Sequence, residues 1–129
     1  MHFVVDTHVL VWFFEGNKRL SQRVKEILED EVNLLVIPSI VLAEIKYLCQ
    51  SGRISVNLEK IINVLESDTR CTIYPLDLSV IEKLPLNLDI HDGIICATAL
   101  VYKEFLKEEA CLVTKDEKII KSGLIKTIF

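Results

Sequence analysis

Long apolar runs, turn formers, paired cysteines and excess basic charge are all scarce in this sequence, and each scarcity excludes something. No hydrophobic stretch approaches the roughly 18 residues of a membrane span. The nearest candidates, residues 3–5 and 9–14, are divided by Asp6, Thr7 and His8, and no positively charged segment precedes them. Neither a membrane anchor nor a secretory leader is therefore expected. Four glycines and three prolines in 129 residues leave no linker, repeat or low-complexity tract, so residues 1–129 are expected to form one domain. The four cysteines, Cys49, Cys71, Cys96 and Cys111, lack the close spacing of zinc ligands, and each lies in or beside an apolar stretch. They are expected to be reduced thiols acting as small hydrophobes, in a soluble protein of the cytoplasm.

Basic charge is also short. Lys and Arg number 15 against 19 Asp and Glu, for a net charge of −4 and a pI near 5.4. That balance is the reverse of the basic surface usual in nucleic-acid binders. The basic residues that do cluster, Lys103, Lys107, Lys115, Lys118 and Lys121, alternate with Glu104, Glu108, Glu109 and Glu117, as on a solvated helical surface. What the chain has in quantity is apolar material. Half of its residues are hydrophobic and its mean hydropathy is +0.35, which excludes disorder by composition. A chain of this length can bury about two-thirds of its unfolded surface.

Short apolar segments alternate with longer helical ones. Residues 3–5, 34–37, 72–74 and 111–113 read as strands, with a further edge strand at 126–128. Between them, residues 9–14, 20–28, 39–50, 58–65 and 92–106 read as helices, with shorter ones after Ser79 and at 117–121. Ser79 with Glu82, and Thr114 with Glu117, have the spacing of capping boxes. Strands that are apolar throughout, alternating with helices, indicate a parallel sheet covered on both faces. In such sheets ligands bind beyond the carboxyl ends of the strands, near the point where strand order reverses.

Four acids stand in apolar surroundings. Asp6 directly follows the first strand, and Asp116 comes three residues after Val113. Glu44 lies within Ile40-Val41-Leu42-Ala43-Glu44-Ile45, about 60° around a helix from Val41, at the border of its buried stripe. Asp92 opens a helix and shares a face with Ile95, Cys96 and Ala99. Each acid also has a structural reading: Asp6 as a turn residue, Glu44 as a rim residue reaching water, Asp92 as a cap in competition with Asp89 or His91, and Asp116 as a first-turn acid. Gathered together, however, carboxylates repel, by about 4 kcal/mol for a close pair at an effective dielectric near 20. Either their pKa values rise or a cation joins them. Oxygen-only ligands suit Mg²⁺ or Mn²⁺, and such ions activate water against a phosphodiester.

At these residues the chain resembles the PIN-domain family, and within it toxin ribonucleases of the VapC type. Asp6-Thr7-His8-Val9-Leu10-Val11-Trp12-Phe13 is similar to the opening motif. Ser39 through Ile45, with its Ser and Glu on a helix, is similar to the second. Asp89-Ile90-His91-Asp92-Gly93-Ile94-Ile95-Cys96-Ala97 resembles the third, and Val113-Thr114-Lys115-Asp116-Glu117 the fourth. The set occurs in family order and spans nearly the whole chain. The resemblance implies a three-layer α/β/α sandwich around a mainly parallel sheet. It implies that Asp6, Glu44, Asp92 and Asp116 form a catalytic pocket holding Mg²⁺ or Mn²⁺, with Thr7 and Thr114 as supporting hydroxyls. It further implies endonucleolytic hydrolysis of RNA, a homodimer, and inhibition by a cognate antitoxin docked near the site. Many relatives carry Arg after the third-motif Asp where this chain has Gly93, which removes a possible phosphate contact.

Other assignments fit less well. A haloacid-dehalogenase phosphatase also begins with Asp after its first strand but needs a second Asp two positions on, where His8 stands. A receiver domain would need an acidic pair near the amino end. The strongest alternative is a catalytically silent PIN-like domain that binds nucleic acid or protein. His8 and His91 flank the acids, but a metal-activated water needs no histidine base, and neither is expected to act as one.

Overall fold

The computed structural model describes all 129 residues, Met1–Phe129. Five strands, β1 (His2–Val5), β2 (Leu34–Pro38), β3 (Cys71–Tyr74), β4 (Ala110–Val113) and β5 (Thr127–Ile128), form one sheet in the order β3-β2-β1-β4-β5. Every pairing is parallel. The central strands carry the expected apolar runs: Val4, Val5, Val36, Ile37, Leu112 and Val113 are all fully or almost fully buried. Seven helices complete the α/β/α sandwich: α1 (Thr7–Glu15), α2 (Gln22–Glu29), α3 (Ser39–Gln50), α4 (Leu58–Ser67), α5 (Leu78–Glu82), α6 (Ile90–Leu100) and α7 (Glu117–Ser122). No helix is long and apolar enough to cross a membrane. All four cysteines are free; Cys96 and Cys111 are buried, Cys49 and Cys71 half-buried.

Strand order reverses at β1. The chain moves outward through β2 and β3 on one side, then returns to pair β4 and β5 on the other. The carboxyl ends of β1 and β4 therefore diverge into helices on opposite sides of one crevice, the location where parallel sheets hold ligands.

Several local expectations are corrected. The helix expected over 92–106 begins at Ile90, because the Asp89 carboxylate accepts the His91 N–H, and it gives way to a π-helical turn over Val101–Phe105. Helix α5 is capped by Asp77, which accepts the Val80 N–H and the Ser79 hydroxyl, so Ser79 is inside the helix rather than at its cap. Helix α7 is capped by Asp116 rather than by Thr114. In each case an aspartate two or three residues from the expected start meets the exposed N–H groups of a first turn, a role to which its short carboxylate is well suited. Helix α6 is buried without interruption from Gly93 to Leu100, as befits a helix that is apolar on all sides. A Cβ at Gly93 would lie 3.2 Å from Leu84 Cδ1 and 3.4 Å from the Pro85 carbonyl oxygen. The missing side chain lets that segment pack closely on α6.

Candidate active site

Asp6 is the base of the crevice. Its backbone N–H continues the β1–β4 ladder by donating to the Val113 carbonyl, and its side chain caps α1 by accepting the Thr7 N–H at 2.7 Å. The second carboxylate oxygen accepts the Thr114 hydroxyl at 2.5 Å. Thr114 lies just past β4, and its oxygen in turn accepts the Asp116 N–H at 3.0 Å. From the other side, the Thr7 hydroxyl donates to Glu44 Oε1 at 2.7 Å. Two threonine hydroxyls thus join three of the four acids across four separate elements. Only four polar or charged residues of the chain are buried, Asp6, Thr7, Thr98 and Thr114, and three of them belong to this network. Thr98 merely returns its hydroxyl to the Ile94 carbonyl of its own helix.

The fourth acid enters from α6. Asp92 lines the same cleft as Asp6, Glu44 and Asp116, a cavity of about 450 Å³. No hydrogen bond offsets its position. Burial, and after it the charges of Asp116, Asp6, Asp89 and Glu44, push its carboxyl up to about 6. Asp6 is raised as well, burial outweighing the opposing bonds from Thr114 and Thr7. Asp116 spends one oxygen on the Lys118 and Ile119 N–H groups, and Glu44 stands 3.6 Å from His91 Nδ1. All four acids singled out from the sequence therefore share one cleft. No three of them stand in an arrangement that already encloses a metal ion.

The donor set nonetheless fits a hard divalent cation. It is entirely oxygen, and it brings four carboxylates together with no lysine or arginine within 4.0 Å of any of them. Two basic side chains not assigned to the site from sequence also line the cleft: Arg19, and Lys115, which is not on a solvated helix as expected but in the loop between Thr114 and Asp116. Lys115 adjoins the fourth motif, so its position between two site residues was the available signal. Nothing in the local pattern marked Arg19. His8 borders the cleft and meets Trp12 in a tilted arrangement, with ring centroids 5.9 Å apart.

Residues 3–123 match the PIN domain family. The chain belongs to that family. Solved structures with the PIN fold superpose over nearly the whole length. A chain of VapBC2 from Rickettsia felis, crystallised with a DNA fragment from the promoter, is 18% identical with a TM-score of 0.67, over 99% of this chain and 98% of that one. A toxin–antitoxin complex from Klebsiella pneumoniae gives 18% and 0.65, covering 98% and 95%. VapBC-1 from nontypeable Haemophilus influenzae gives 20% and 0.61, covering 99% and 97%. No curated protein matches the chain in sequence. At these identities the superpositions establish the fold of this PIN domain.

Proposed function

We propose that this PIN domain is a Mg²⁺- or Mn²⁺-dependent endoribonuclease that acts as the toxin of a VapBC-type pair. The observation that carries the reading is the convergence of Asp6, Glu44, Asp92 and Asp116 on one cleft at the strand-order reversal, in a family whose members are generally nucleases. Asp6, Asp92 and Asp116 would hold the principal cation, with Glu44 completing the site or orienting the attacking water. The bound ion supplies Lewis-acid polarisation of the scissile phosphate and activation of water. The chain's own contribution is orientation: Thr114 and the Thr7 N–H fix both oxygens of Asp6, and the Thr7 hydroxyl fixes Glu44. The toxin assignment, with a cognate antitoxin and a homodimer, rests on the motif order and on the likeness to chains of VapBC complexes. A monomeric sedimentation profile at micromolar concentration would contradict the dimer.

The deciding experiment is cleavage of a mixed cellular RNA pool by the purified protein with Mg²⁺ or Mn²⁺, with EDTA, and with the Asp6→Ala variant. Discrete metal-dependent fragments, absent with the variant, are expected. The second reading, a silent binding module, is favoured by one observation: no three acids enclose a metal site as they stand. Mn²⁺ titration separates the two, because an intact cluster binds the ion and a degenerate one does not.

A further inference from the structure

The acidic cleft does not end at Glu44. A second groove of about 520 Å³ shares Thr7, His8 and Glu44 with it and continues along α3, lined by Ile40, Tyr47, Leu48, Arg53 and His91. Its size falls within the range of ligand pockets, and its chemistry differs from that of the cleft. Tyr47 follows Glu44 by three residues, hence on the same helical face, and is 71% exposed. Arg53 reaches the groove because α3 ends in a left-handed turn. Gly52 has φ +72°, its N–H donates to the Cys49 carbonyl, and the Arg53 N–H donates to the Leu48 carbonyl. That turn folds Arg53 back over the end of its own helix.

Among the lysines and arginines, only Arg70 and Lys83 lie within 4.0 Å of a carboxylate; the other close contacts put imidazole nitrogens of His2 and His91 beside Glu108 and Glu44. Arg53 has no acidic partner within 4.0 Å, and neither do Arg19 and Lys115, which line the acidic cleft. A net-negative protein thus lines both its acidic cleft and the adjoining groove with cations that lack an acidic partner. Lys115 lies 5.5 Å over the Phe129 ring, and Arg53 stands beside an exposed aromatic ring and apolar side chains.

We propose that this groove is a substrate subsite for single-stranded RNA: Arg53 binds a backbone phosphate next to the scissile one, and a nucleobase lies against Tyr47. The assignment rests on the ribonuclease reading for its substrate and extends it to a strand that runs from Arg53 across the acids to Arg19 and Lys115. A guanidinium suits a phosphate oxygen pair, and a phenol ring accepts any base by stacking. The strand must be single, because bases stacked within a duplex cannot enter a groove.

The test is fluorescence anisotropy with a labelled, short, random-sequence single-stranded RNA, in Mg²⁺, with Asp6→Asn as the uncleaving parent. Arg53→Gln and Tyr47→Ala, each added to that parent, are expected to weaken binding about tenfold. Arg53→Gln should also lower the log–log salt slope by about 0.7. Arg53→Lys, which keeps the charge but loses the fork, should keep the parent's salt slope and bind between the parent and Arg53→Gln. Lys126→Gln, at the amino end of the sheet beside Met1 and Ala110, should bind like the parent. Duplex RNA should bind about tenfold more weakly. In the active protein the two groove variants should raise KM while leaving kcat within about twofold. Equal binding by the groove variants and their parent, or equal binding of single and double strands, overturns the subsite. Wild-type cleavage of the RNA pool combined with unaffected groove variants leaves the nuclease and removes only the subsite. Absence of wild-type cleavage, with binding still lost in the variants, removes the nuclease and leaves a single-strand binding groove.

Discussion

The two ends of the sheet treat their acids in opposite ways. At the amino end, Arg70 stands just ahead of β3 and grips Asp68 with two bonds, Nε to Oδ1 at 3.2 Å and Nη2 to Oδ2 at 2.9 Å. Its remaining nitrogen donates to the Leu28 and Asp30 carbonyls. That partner holds the Asp68 carboxyl below its ordinary range. At the carboxyl end, hydroxyls and N–H groups meet Asp6, Glu44 and Asp116 but not Asp92, no lysine or arginine lies within 4.0 Å of any of the four, and burial raises both Asp6 and Asp92. An acid that tethers a loop is neutralised by the fold itself. The acids of the cleft are left short of positive charge, which is the condition for binding a cation from solution.

The largest effect that sharpens this contrast is expected for Asp6→Ala, which should abolish metal-dependent RNA cleavage while circular dichroism shows the fold intact. Thr114→Val comes next. It removes the hydroxyl that fixes Asp6, so activity or metal affinity should fall about 10–100-fold. The loss of a donor to a buried carboxylate should cost about 1–3 kcal/mol in denaturant melts. Arg70→Ala should lose a similar amount of stability and yet cleave RNA at the wild-type rate; a loss of activity there would break the distinction between the two ends.

Asp92→Asn has the smallest expected effect on stability and the opposite sign. An aspartate raised to about 6 keeps its proton in the fold at pH values where the unfolded chain, at 3.8, has released it. The contribution of Asp92 to stability is therefore lost as the pH climbs from 3.8 through about 6. In EDTA, well above pH 6, the asparagine variant should be more stable, by at most about 1 kcal/mol because solvent screens the half-exposed group. That gain should shrink as the pH falls through 6 and vanish near 4. A variant that is both more stable and inactive would mark Asp92 as a residue kept for chemistry at the expense of the fold. A destabilised one would mark it as structural.

Sequence periodicity alone was enough for the alternation of strands and helices, since apolar spacing is a local property. The same holds for the placement of Asp6 and Asp116 at strand ends and of Glu44 at the border of a buried stripe. Caps were less legible. Ser79 and Thr114 had capping-box spacing, but the aspartates at 77 and 116 took those N–H groups. The Thr114 oxygen accepts the Asp116 N–H instead, while its hydroxyl donates to Asp6, 108 residues away. No local pattern encodes a bond of that range, because its partner is chosen by which strands pair.

What the sequence by itself determined is the α/β class, the apolar strands of its main core and the acids that any folded form must accommodate. Only the tertiary structure decided the strand order, and with it the reversal at β1 that brings Asp6, Thr114 and Asp116 to one crevice with Glu44 and Asp92. It also decided that Lys115 lines that crevice, and that Gly93 is a packing position against Leu84 and Pro85. The physical reason is the same throughout. Propensity and periodicity act over a few residues, whereas the repulsion of four carboxylates and the grooves beside them arise only when segments far apart in the chain are packed side by side.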